Sequence, residues 1–179
     1  MATQDLAPHP STEAPAADAP ADPVLAALRA RVHGTNISET TLLATDYLNH
    51  FNEIIMLLEM VPDMPEMLDE AKAWEPKDYV EHFASSSCPF RDLAIELYPH
   101  VPTRYKEPFE TTILQLQAVI DGTLRHAETA RSRDDARLLR QKITIALDPM
   151  HRLVDVAASI IHGADKALSQ DEIDTVLET

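Results

Sequence analysis

The sequence predicts an all-α fold: a helical bundle of three or four long helices with a proline-rich excursion of short ones, preceded by a disordered N-terminus. Three observations predict it. The 179-residue chain has only three glycines, Gly34, Gly122 and Gly163, which leaves few hairpin turns and excludes the Gly-rich loops that cradle phosphates. Apolar residues recur at helical spacing over long stretches. Helix-start and helix-stop residues bracket those stretches.

Residues 1–21 are rich in Ala, Pro and acidic side chains, lack an apolar face and are expected to be disordered. In "DPVLAALRARVHG", Asp22 as N-cap, Pro23 at the first helical position and Gly34 as stop predict a short helix. The strongest helical pattern follows over 38–61, with Ser38 as its expected cap and Leu43, Tyr47, Leu48, Phe51, Ile54, Ile55 and Leu58 on one face. Seven prolines in 62–108 predict short pieces, with Pro65, Pro76 and Pro89 in their first turns. Phe109, Ile113, Leu116, Ile120, Leu124 and Ala127 mark another long helix, and "SRDDARLLRQKITIAL" turns back after a charged joint. Asp148-Pro149 then reads as the start of a last helix that runs to about Gly163. The expected division is a tail (1–21), a bundle domain (22–165) and a C-terminal helix (166–179).

Composition limits the partners. Formal net charge is −15, so a nucleic-acid backbone would be repelled, whereas a basic surface or a Mg²⁺-containing site is electrostatically easier. A single cysteine, Cys88, cannot form an internal disulfide, and there is no CxxC zinc pair. The N-terminus has neither the basic start nor the apolar run of a signal peptide, and "IIMLLEMV" is too short to span a bilayer. The expected location is the cytoplasm, with no membrane or nucleic-acid partner.

On helix 38–61, Asp46, Asn49, His50 and Glu53 form one polar stripe at i, i+3, i+4 and i+7, flanked by Leu42, Leu57 and Met60. Three readings of it stand side by side. It is a solvated face with an ordinary Asp46–His50 pair. Or it is part of a metal site, in which His50 and Glu53 join His151, Asp155 and His162 of the last helix around iron, manganese or zinc. Or it is hydrolytic: Asn49 orients a water against an acyl phosphate while Asp46 holds a lysine of the substrate. Trp74, Met56 and Met60 are expected to be packing residues, and Cys88 an inert thiol.

The chain ends "ALSQDEIDTVLET". Ser169 and Glu172 fit a capping box, and Ile173, Val176 and Leu177 share one side of the helix it would start. Such a short acidic helix is marginal alone and suits an apolar groove with a basic rim. The run Ser169, Gln170, Asp171, Glu172, Ile173, Asp174, Val176, Leu177 resembles the peptides by which flagellar motor switch proteins and the chemotaxis phosphatase family dock on a phosphorylated response regulator. In the phosphatase family the peptide is C-terminal, as here. The resemblance implies a cytoplasmic regulator of chemotaxis or flagellar control with no cofactor of its own, Mg²⁺ being held in the partner's phosphorylation site. It also implies a helical hairpin, expected over 108–162, that forms a homodimer. The family's Gln-Asp-x-Thr-Gly-Gln pattern does not occur here. The Asp46/Asn49 spacing is similar instead to the acid-x-x-Asn pairs of a second, α/β phosphatase family of chemotaxis.

Overall fold

A computed structural model describes residues 23–164; the N-terminal tail and the segment from Ser169 to Leu177 lie outside the described residues. Within them there are seven α-helices and no strand. Two helices are long: α6 (Thr103–Ser132, 30 residues) and α7 (Ala136–Ile161, 26 residues). Around them lie α1 (Pro23–Arg31), α2 (Asn49–Met60), α3 (Met67–Ala73), α4 (Tyr79–Ser85) and α5 (Arg91–Leu97). The architecture is therefore one long hairpin with shorter helices packed on it, and among the described residues two helices are long where three or four were expected.

The hairpin follows from the sequence pattern. Apolar residues of α7 recur in alternating steps of four and three, at Leu139, Ile143, Ala146, Met150, Leu153, Ala157 and Ile160, and this stripe faces the core. The phase does not change at Pro149. That residue reads locally as a helix start, but the helix runs through it. The carbonyl of Ile145, which loses its helical partner to the proline ring, lies on a residue that is 52% exposed, where water can serve it. Pro108 likewise sits inside α6, which begins at Thr103 instead of Pro108. Between the helices, Asp134 adopts a left-handed conformation (φ 55°) and Asp135 caps α7 by accepting a hydrogen bond from Leu138 N.

Helix α7 ends in a Schellman arrangement. Ala164 N donates to Ser159 O at 3.0 Å and Gly163 N to Ile160 O at 2.9 Å, with Gly163 at φ 95°. The expected stop at Gly163 is thus observed, and Gly34 at φ 81° lies beyond the end of α1; the expected cap Asp22 lies outside the described residues.

The remaining helices cover the hairpin. Helix α2 packs on α7, α3 bridges α2 and α6, and α4 pairs with α5. All seven apolar residues expected on one face of the 38–61 segment are buried. The segment is not one helix, however. Ser38 starts a tight turn in which Leu42 N donates to Ser38 O and Leu42 is left-handed (φ 63°). A 3-10 turn (Thr45–Leu48) follows, and only then α2. The turn is fixed from outside: Thr41 Oγ1 donates to Ile161 O at 2.7 Å, and Ala44 N donates to Tyr79 Oη at 2.9 Å.

Pro65, Pro76 and Pro89 precede α3, α4 and α5 instead of entering their first turns. Pro76 stands ahead of α4, whose start is a capping box formed by Asp78 and Glu81. Ion pairs fasten the periphery: Lys72 and Arg131 converge on Glu128, Arg131 also reaches Asp69, and Arg140 pairs with Asp63. Such exposed pairs contribute little each, about 0–1 kcal/mol.

Candidate functional site

The segment 44–50, ending in the first turn of α2, and the segment 74–82, running from the end of α3 into the first turn of α4, are laced together. Trp74 Nε1 donates to His50 O at 3.1 Å, Tyr47 Oη donates to Lys77 O at 2.8 Å, and Tyr79 Oη accepts from Ala44 N. These bonds satisfy main-chain groups of two irregular segments that could not otherwise be buried.

The result is a small aromatic and titratable cluster. His50 stacks on Trp74 with centroids 4.7 Å apart, and His82 lies 5.7 Å from His50 and 5.5 Å from Tyr47. Tyr47 meets Phe51 edge-on at 5.3 Å and leads into the core aromatics Tyr79 and Phe109. Burial disfavours the charged form of both histidines and lowers their pKa. For His50 the neighbouring His82 lowers it further, and Lys77 acts in the same direction on both rings. The Glu75 carbonyl and Glu53 oppose the shift at His50; the carboxylate and carbonyl of Asp46 oppose it at His82. Burial raises the phenol of Tyr47 above its usual range, aided by Asp78 and Glu81.

Two polar atoms here are enclosed without a hydrogen-bond partner among the described residues: His50 Nε2 and Asp46 Oδ2. An imidazole nitrogen can donate or accept, so Nε2 keeps the capacity for one further partner.

The expected polar stripe is divided by this packing. His50 is buried, Asp46 is half-buried, and Asn49 and Glu53 are exposed. Of the five expected metal ligands, His151 pairs with Glu59 across α7 and α2 at 3.3 Å, while Asp155 and His162 are exposed. No group of three His, Cys, Asp or Glu side chains placed to hold a metal ion occurs among the described residues. Leu42 and Leu57, expected to flank the stripe, pack into the core or against it, with Leu42 outside the helix. Trp74 packs against the core as expected, whereas Met56 is 54% exposed. Cys88 is a half-buried free thiol.

His82 and Trp74, which complete the cluster, carry no sequence signal that links them to His50. They stand 32 and 24 positions away, and only the tertiary packing of α4 and α3 brings them in. The one local cue was the D-x-x-E box at Asp78–Glu81, which fixes the start of α4 and so the position of His82.

No helix among the described residues is long and apolar enough to cross a membrane. Comparisons with known protein families, curated protein sequences and solved structures find no match.

Proposed function

We propose that this chain is a regulatory protein, built on the α6–α7 hairpin, that binds a phosphorylated response regulator of the chemotaxis type through residues 169–177. The observation that carries the reading is the order of side chains Ser169, Gln170, Asp171, Glu172, Ile173, Asp174, then Val176 and Leu177. It combines a helix-start box, one apolar side and acidic groups around the rest, the pattern of a helix that docks in a groove. Two features of the fold support it. Helix α7 stops in its Schellman arrangement at Gly163, ahead of this segment. The hairpin itself matches the kind of scaffold that the resemblance implies.

In its enzymatic form the proposal has water attack the regulator's acyl phosphate, releasing phosphate and the free carboxylate. Asn49 orients the water and Asp46 holds a lysine of the partner, while Mg²⁺ stays in the partner's site. Asn49 is exposed and able to reach a partner. Oδ2 of Asp46 is enclosed, so Asp46 would have to act through Oδ1.

The test uses a chemotaxis response regulator activated with beryllofluoride. The full chain binds it, and Ile173→Ala with Leu177→Ala weakens binding. For the enzymatic form, Asn49→Ala leaves binding intact and slows phosphate release from the acetyl-phosphate-charged regulator. An unchanged release rate removes Asn49 from the reaction.

A further inference from the structure

A cavity of about 330 Å³ opens between α4, the 3-10 turn Tyr98–His100 and the first half of α6. Its base is apolar and aromatic, formed by the buried Tyr79, Phe109 and Ile113. Two exposed carboxylates, Asp78 and Glu110, stand at its edge. Two apolar side chains open to solvent flank it: Leu114, 66% exposed, and Val80, 37% exposed. An exposed leucine beside an aromatic hollow is the pattern of a surface that another molecule covers.

The charge of the site selects the occupant. Among the described residues, Asp78 accepts one hydrogen bond, from Glu81 N, and Glu110 accepts one, from Tyr98 Oη at 2.7 Å. A carboxylate has room for more donors than that. The aromatic wall already holds a cation: Tyr79 stacks on Tyr98 at 4.5 Å, and the Lys106 ammonium lies over the Tyr98 ring, 4.4 Å from its centroid. The chain's own segments beyond the described residues do not fit. Residues 1–22 contain no lysine or arginine, and residues 165–179 contain Lys166 against five acidic residues.

We infer that this groove docks a partner protein through a basic amphipathic helix, whose apolar residues cover Leu114 and Val80 and whose lysine or arginine reaches Asp78 and Glu110. None of the groove's residues belongs to 169–177, so either proposal can fail without the other.

The experiment measures fluorescence anisotropy with the full chain and two labelled synthetic peptides of about five helical turns. One is built of Leu and Lys at helical period, the other of Leu and Glu. The Leu/Lys peptide binds, and the Leu/Glu peptide does not. Glu110→Gln and Leu114→Ser each weaken binding about threefold or more. Asp148→Asn, an equal loss of charge on α7, which lines no part of the groove, leaves it unchanged. Thermal melts matching the unsubstituted protein show that each variant is folded. Absence of binding overturns the inference, and so does equal weakening by Asp148→Asn, which would mean attraction to bulk negative charge. Light scattering that shows a dimer broken by Leu114→Ser also overturns it, because a second copy would then be the occupant.

Discussion

The His50 imidazole lies against the Trp74 indole, centroids 4.7 Å apart and planes 26° apart, while the indole N–H donates to the main-chain carbonyl of the same histidine. One side chain thus holds both the ring and the backbone of the first turn of α2. Trp74→Ala removes the stack, the hydrogen bond and half-buried apolar area together. The expected cost is about 2–4 kcal/mol, read from urea unfolding. Trp74→Phe keeps part of the stack and loses less. Trp74 is the single tryptophan, so its emission reports this site alone.

The two histidines predict acid sensitivity. Both have lowered pKa values in the folded chain, so below about pH 6.5 the unfolded chain takes up protons that the folded one refuses. Their contribution to stability is therefore full above that pH and is lost as the pH falls through it, levelling only below the folded-state values. The melting temperature drops between pH 7.5 and 5.5, and the drop is smaller in the double variant His50→Gln, His82→Gln. Equal drops would place the acid sensitivity elsewhere.

The bond from Thr41 Oγ1 to Ile161 O ties the turn before α2 to the end of α7. Both groups are buried, so Thr41→Val leaves a carbonyl without its donor and costs about 1–3 kcal/mol by thermal or chemical denaturation. Gly163→Ala strains the same corner twice: φ is 95°, and an added Cβ would lie 3.1 Å from Thr40 Cγ2. It is expected to destabilise by roughly 1 kcal/mol or more.

Pro149→Ala should act in the opposite direction. The proline lies in the interior of α7 and deprives Ile145 O of its helical donor. Restoring an N–H at a site that is already helical raises stability by up to about 3 kcal/mol. A loss would show that the helix is shaped around the proline.

Helical periodicity carried most of the fold. Phe51, Ile54, Leu58 and Phe109, Ile113, Leu116 all point inward as their spacing requires, and Gly34 and Gly163 mark real stops. Local signals misled where long-range packing overruled them. Ser38 is a good cap by type, but the bonds from Thr41 to Ile161 and from Ala44 to Tyr79 hold a turn with a left-handed Leu42 there instead. Asp148-Pro149 is a good helix start by type, but the unbroken phase from Leu139 to Ile160 outweighs it. At the candidate site, Asp46 and His50 were legible because they stand four positions apart, although Asp46 lies in the 3-10 turn and His50 in α2. Trp74 and His82 were not, since their link to His50 exists only in three dimensions.

The central claim is that residues 169–177 are a ligand for a receiver protein. The most direct measurement is the dissociation constant of beryllofluoride-activated chemotaxis regulator for the full chain and for a chain ending at Ala164. A complex formed by the former and abolished in the latter, whose melting temperature is unchanged, is the predicted result. The same affinity with and without the terminal fifteen residues, or none in either case, contradicts it.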